Sequence, residues 1–264
     1  MSDYVSEGGH WYDGDGLPAY TQEIKTGKNK GKERPTTLRD ARQLKLSPSV
    51  TTVLSILDKP ALTHWKVMHA LKKARWEILE WIPNPLLKRS FKDKFKVEEP
   101  DTEDKAKRGS EIHAAIERWL EGGGIEEGYE PYVKIVQGVM DELGIDITDV
   151  RSERSFTCKK YGYGGAVDFS VQSTKGDIII DFKTKDMDEK KAAKKLAYDE
   201  HLMQLSAYRM GLEMPNAKLY NLFLSRDNPT VYQLHEWSEE DAEWGDNTFL
   251  SVLSAWVLLK RYAV

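Results

Sequence analysis

The strongest constraint on this chain is a pair of β-rich runs. Residues 166–172 (Ala-Val-Asp-Phe-Ser-Val-Gln) and 177–183 (Asp-Ile-Ile-Ile-Asp-Phe-Lys) are joined by Ser173-Thr174-Lys175-Gly176. β-Branched and aromatic residues favour strands, and the joining tetrapeptide has turn chemistry, so the pair reads as a hairpin. A symmetric hairpin sets Asp168 directly opposite Asp181, and a tighter loop around Thr174-Lys175 keeps that register. Alternate strand residues share a face, which puts Lys183 on the face of Asp181. Directly opposed carboxylates repel and weaken a sheet. A chain that keeps such a pair reads as one that holds a cation between them, and oxygen ligands of this kind suit Mg²⁺ or Mn²⁺. Two solvated acids on an exposed sheet face are the competing reading.

The 264 residues suffice for one large domain or two small ones. With 40% hydrophobic and 31% charged residues, the composition is that of a globular protein rather than a disordered one. No apolar run approaches a membrane span, and the N-terminal residues lack the basic and apolar regions of a secretory signal. The acidic start also argues against a mitochondrial presequence. A lone cysteine, Cys158, excludes an internal disulfide and a four-cysteine metal or iron–sulfur site. It reads as an ordinary half-buried strand residue. These features predict a protein of a reducing compartment, the cytoplasm. Net charge is −4, so charge placement matters more than the sum. Bases cluster at 66–75, 88–96, 105–108 and 190–195; acids cluster at 98–104, 126–130 and 236–246.

Residues 1–46 are polar and rich in Gly and Lys, with turn signals at Asp13-Gly14 and Asp15-Gly16 and a mobile loop expected at 27–32. Ser47-Pro48-Ser49 is expected to open a helix carrying Val50, Val53, Leu54 and Leu57 at helical spacing. Lys59-Pro60 starts a longer helix through Trp81, with Leu62, Trp65, Met68, Leu71 and Leu79; Pro83 and Pro85 break it. Residues 86–107 are highly charged and read as flexible. Arg108-Gly109 leads into a helix to about Leu120, and another spans 130–143 before Gly144. Strands follow at 150–158, 166–172 and 177–183. A basic amphipathic helix is expected over 187–212, then strands at 218–225 and 231–237, and a last helix capped by Ser238. The order predicts an α/β protein: a central mixed β-sheet flanked by helices, preceded by a helical N-terminal part. The expected division is a substrate-binding region at 1–107 and a core at 108–264, together forming one compact body.

Three further features join the aspartate pair. Gly109, His113 and Glu117 share one helix stripe, apart from the apolar stripe of Ile112, Ile116, Trp119 and Leu120. Glu153 lies in the preceding strand, before the flexible Tyr161-Gly162-Tyr163-Gly164-Gly165. Gln204 and Tyr208 are one helical turn apart and can bond a phosphate or orient a lysine. Each has an ordinary structural reading when taken singly.

In this order, Gly109…His113…Glu117, Gly165…Asp168, Asp181…Lys183 and Gln204…Tyr208 resemble the PD-(D/E)XK nuclease superfamily, specifically its RecB-like exonuclease branch. The likeness covers residues 108–225. Residues 48–54 (Pro-Ser-Val-Thr-Thr-Val-Leu) and 59–65 (Lys-Pro-Ala-Leu-Thr-His-Trp) resemble, more loosely, small phage and mitochondrial genome maintenance exonucleases. The chain departs from the branch's iron–sulfur members, whose cysteines it lacks, and has no nucleotide-binding loop of a helicase.

The resemblance implies a metal-dependent DNA exonuclease acting on single-stranded DNA or duplex ends in recombination, repair or replication. It implies Asp168, Asp181 and His113, with the backbone carbonyl of Phe182, as ligands of Mg²⁺ or Mn²⁺. Lys183 then orients or deprotonates the attacking water. Gln204 and Tyr208 hold the phosphate or fix the lysine, and Glu117 and Glu153 stand behind them. Lys190, Lys191, Lys194 and Lys195, on one helix with Gln204, are expected to follow the DNA backbone, as are Lys66, Lys72, Lys73 and Arg75. Trp65, Trp76 and Trp81 are core residues or base-stacking ones. The resemblance also implies DNA and a single-strand-annealing or replication protein as partners, no membrane, and the cytoplasm of a bacterial host or phage-infected cell. The alternatives are an endonuclease on the same fold and an inactive nucleic-acid-binding protein.

Overall fold

A computed structural model describes residues 9–97 and 104–262, without the side chains of residues 61, 62, 104 and 106. The expected acidic cluster at 98–104 and the side chain of Leu62 therefore lie outside the described residues. The chain divides into two compact units, one formed by residues 1–56 with 111–264 and the other by 57–110. A boundary at 107/108 was expected instead. The polar N-terminal segment belongs with the sheet because its aromatics pack there.

The sheet unit opens with β1 (Trp11–Tyr12), β2 (Thr21–Glu23), β3 (Glu33–Pro35), α1 (Leu38–Leu44), β4 (Ser47–Pro48) and α2 (Val50–Leu54). Trp11 and Tyr12 are buried, and Trp11 sits 6.1 Å from Trp256 and 5.5 Å from Tyr262. The expected mobile loop at 27–32 is a hydrogen-bonded turn between β2 and β3, closed by Ile24 N–H to the Lys32 carbonyl. Helix α1 escaped the sequence reading although Thr37 and Asp40 form a reciprocal capping box at its start. Ser49 caps α2, which buries Val50, Val53 and Leu54; Leu57 lies beyond its end.

The helical unit holds α3 (Pro60–Trp81) and α4 (Pro85–Phe95). Helix α3 begins at Pro60 and ends at Trp81, as expected. The segment 86–107, expected to be flexible, instead contains α4, because the Asn84 side chain accepts from the backbone N–H of Leu86 and Leu87 and Pro85 suits the first helical position. Leu79 and Val97 are buried, whereas Trp65, Met68, Leu71 and Trp81 are exposed.

Helix α5 (Asp104–Leu120) starts four residues before Arg108, and α6 (Glu130–Leu143) ends at Gly144 in the left-handed region (φ 66°). The strands β5 (Val150–Cys158), β6 (Tyr163–Val171), β7 (Ile178–Lys185), β8 (Lys218–Ser225) and β9 (Tyr232–Trp237) form one sheet in that order. Pairing is antiparallel except for β7–β8, which is parallel. The mixed sheet flanked by helices agrees with the expected fold class. Ile112, Ile116, Tyr132, Val136 and Val139 pack on Phe169, Ile180, Phe182, Tyr220 and Leu222 to form the core of one face.

The helix expected over 187–212 is two: α7 (Glu189–Ala192) and α8 (Asp199–Gly211), followed after β9 by α9 (Glu239–Lys260). The break has a tertiary cause. Gln233 Nε2 binds the carbonyls of Ala192 and Lys194, and Lys185 Nζ binds that of Leu196. Side chains of β7 and β9 thus take acceptors that a continuous helix would have used. Helices α8 and α9 approach so closely that a Cβ on Gly245 would stand 2.2 Å from Ser206 Oγ.

Candidate functional site

The site forms where the sheet's pairing fails. The β6–β7 ladder runs Val171–Ile178, Ser170–Ile179, Phe169–Ile180 and stops one pair short of Asp168–Asp181. The register is the expected one, but the opposed acids do not complete a rung. Asp168 Oδ2 instead accepts from the Phe182 N–H at 2.7 Å. On the other side, Ser152–Phe169 and Arg154–Val167 pair while Glu153, opposite Asp168, does not; its φ is 41°. A left-handed glutamate inside a strand is a local distortion of the kind concentrated at functional sites. Like-charge repulsion at one position accounts for both interruptions.

Asp181 is 2% exposed and fully engaged. Lys183 Nζ contacts Oδ1 at 2.9 Å and Oδ2 at 2.8 Å, and Asn221 Nδ2 donates to Oδ2 at 2.9 Å. Asn221 faces Asp181 across the parallel β7–β8 pair and accepts from Trp237 Nε1 at 2.9 Å. The sequence reading missed Asn221; the available signal was one amide inside the apolar run Leu219-Tyr220-Asn221-Leu222-Phe223-Leu224. Lys183 also donates to Gln204 Oε1 at 3.0 Å, and Gln204 Nε2 donates to the Tyr208 hydroxyl at 2.6 Å. Helix α8 therefore fixes the lysine through Gln204 and Tyr208. Tyr208 packs over Gly165, where a Cβ would stand 2.9 Å from its ring, so Gly165 has to lack a side chain.

His113 on α5 places Nδ1 3.8 Å from Asp168 Oδ1 and stands edge-on to the Phe182 ring. Burial lowers its pKa, and the nearby Asp181 only partly opposes this, so the neutral imidazole is favoured. Burial raises the pKa of Asp168, reinforced by Asp181, and pushes Glu153 up to about 7, reinforced by Asp168 and Glu117. Burial and Glu121 also raise Glu117. Burial pulls Lys183 down, but Asp181 and Asp168 outweigh it and its pKa ends above the ordinary value. Asp168 and Asp181 thus share one lysine, with Glu117 and Glu153 beside them.

The structure brings His113, Glu117, Glu153, Asp168, Asp181, Lys183, Gln204 and Tyr208 into one neighbourhood. It does not place Lys190, Lys191, Lys194 and Lys195 on the helix of Gln204: the first two lie on α7 and the others in the irregular segment after it, all exposed. Lys66, Lys72, Lys73 and Arg75 are exposed on α3. Trp65 and Trp81 are exposed rather than core, and Trp76 is half-buried.

Among the described residues, no three His, Cys, Asp or Glu side chains stand in ligating geometry as they lie. The donor set still suits a hard divalent cation in kind: carboxylate oxygens in excess of positive charge and one neutral imidazole. Asp181 would have to release Lys183 to serve as a ligand.

The fold and site define an α/β protein whose mixed five-stranded sheet carries an Asp–Asp–Lys cluster at a splayed strand pair. No family model matches the sequence, and no curated protein matches it. Among solved structures, a "Putative exonuclease" from Eubacterium rectale aligns over 66% of this chain and 73% of its own, at 8% identity and TM-score 0.42. An alkaline exonuclease from Laribacter hongkongensis aligns over 58% and 83%, at 18% identity and TM-score 0.32. SSO0001 aligns over 58% and 72%, at 14% identity and TM-score 0.30. These superpositions are loose, and the functional reading rests on the site itself.

Proposed function

We propose that this chain is a Mg²⁺- or Mn²⁺-dependent deoxyribonuclease, an exonuclease acting on single-stranded DNA or duplex ends. The observation that carries the reading is the Lys183 ammonium, bridging Asp181 and Gln204 beside the unpaired Asp168 rung. Purely structural strands gain nothing from opposed acids.

In this reading Asp168, Asp181 and His113, with the Phe182 carbonyl, hold the cation. When bound, it supplies charge stabilisation for phosphodiester hydrolysis and lowers the pKa of water. Lys183 orients the attacking water and offsets charge that develops on the phosphoryl oxygens. Gln204 and Tyr208 set the direction of that ammonium. Asn221 holds the Asp181 carboxylate through its Nδ2 hydrogen bond, and Glu117 and Glu153 supply outer negative charge. The exposed Lys190, Lys191, Lys194 and Lys195, with Lys66, Lys72, Lys73 and Arg75, supply phosphate contacts that position without specifying sequence.

The test is release of acid-soluble nucleotide from linear single-stranded and duplex DNA with Mg²⁺, with Mn²⁺ and with EDTA. Wild type should release nucleotide only with metal, and Asp181→Asn or Lys183→Ala should abolish release while circular dichroism stays native. Cleavage of closed circular DNA would identify an endonuclease. Absence of release with every divalent ion would leave a nucleic-acid-binding protein. Near-wild-type turnover in either variant would remove the proposed site.

A further inference from the structure

Strand β7 carries one more cation on the face of Asp181 and Lys183. Lys185 lies two residues beyond Lys183, about 6.6 Å along the strand. Its ammonium is 4.8 Å from the ring centroid of Tyr198 and 4.8 Å from that of Phe223. It donates to the Leu196 carbonyl at 3.0 Å, which leaves two of its three donors uncommitted. No carboxylate of the described residues lies within ion-pair distance; burial and Lys183 both act to lower its pKa. Half-buried charge without a counterion is costly, and two aromatic faces offset only part of that cost. The cluster is therefore arranged to receive an anion. Tyr198 is 60% exposed, so its ring can grip Lys185 and still offer surface to a base.

We propose that Lys185, gripped between Tyr198 and Phe223, binds the phosphate next to the one undergoing hydrolysis, so that the site takes a polynucleotide strand rather than an isolated phosphodiester. This deepens the nuclease reading and rests on it. Lys185 is a positioning residue: it touches the substrate one unit away from the reacting atoms and holds the strand in register with Lys183. A lysine that only braced the segment after α7 would carry no phosphate-dependent signal.

The experiment compares wild type, Lys185→Met and Lys185→Arg. Binding of a short fluorescein-labelled single-stranded oligonucleotide is followed by anisotropy across a KCl series in EDTA. Hydrolysis of the same oligonucleotide and of bis(4-nitrophenyl) phosphate, which has no neighbouring phosphate, is followed with Mn²⁺. Lys185→Met should weaken oligonucleotide binding about tenfold and reduce the magnitude of the log–log salt slope by about 0.7. Its oligonucleotide-to-diester ratio of kcat/KM should fall by a similar factor, through KM, and Lys185→Arg should restore both. An unchanged salt slope, or equal losses on the two substrates, would overturn the proposal, as would a wild type that does not bind the oligonucleotide. Wild type that binds but cleaves neither substrate would remove the nuclease reading instead, and the slope comparison would still decide Lys185.

Discussion

Helix α8 carries Gln204 and Tyr208, and one buried cation, Arg209, ties it to α9. Arg209 has only 4% of its side chain exposed; Nη2 contacts Asp246 Oδ2 at 2.8 Å and Nη1 contacts Glu239 Oε1 at 3.1 Å. The Glu239 side chain is 76% exposed, so that pair is screened and contributes little. Asp246 is the consequential partner. Its side chain is 26% exposed and its Oδ1 has no hydrogen-bond partner. Arg209→Met keeps much of the aliphatic volume but leaves Asp246 without its counterion. Breaking a buried pair costs roughly 3–5 kcal/mol, and the residual exposure of Asp246 sets the expectation at the lower end, about 3 kcal/mol.

The pH dependence follows from the same carboxylate. Burial already raises the pKa of Asp246, and Arg209 opposes that rise. Without Arg209 the folded-state pKa climbs further above the unfolded one. The native variant then binds more protons than its unfolded chain, so its stability falls as pH rises through that window. The deficit relative to wild type should be full above the folded pKa of Asp246 and shrink towards acid pH. Urea melts at several pH values measure this, with an unchanged m-value as the condition for reading midpoints as stability. In a double-mutant cycle, Asp246→Asn should recover most of the loss. A loss below about 1 kcal/mol, or one independent of pH, would refute this account of the pair.

Gly245→Ala should cost about 1–2 kcal/mol in urea melts, because overpacking against Ser206 and Leu202 exceeds the gain of up to about 1 kcal/mol from helix propensity; a Ser206→Gly background should recover part of it. His113→Ala should weaken Mn²⁺-supported nucleotide release more than Mg²⁺-supported release, since imidazole suits the softer ion; an unchanged metal titration would make His113 structural. Asn221→Ala leaves the Trp237 Nε1 donor unpaired and removes one bond to Asp181. It should cost roughly 1–3 kcal/mol in thermal melts and lower turnover at saturating metal; native stability would refute the clamp.

Local chemistry alone decided much of this protein. Pro60, Pro83 and Pro85 bounded α3, Gly144 ended α6, and Ser238 capped α9, because capping and proline geometry act within a few residues. The hairpin register was legible because β-residue alternation and turn length set it locally, and it led to Asp168, Asp181 and Lys183. Non-local contacts decided the rest. The periodicity of 187–212 is helical, yet Lys185 and Gln233 capture the carbonyls of 192–196 and split it, which removed the lysines from the helix of Gln204. Asn221 reads as an isolated polar residue until the parallel β7–β8 pairing sets it beside Asp181. The left-handed Glu153 has no sequence signal, since it lies opposite Asp168 only once β5 and β6 are paired. Local rules act between residues that are always close in the chain, whereas a site is built from residues that only the sheet's register makes neighbours.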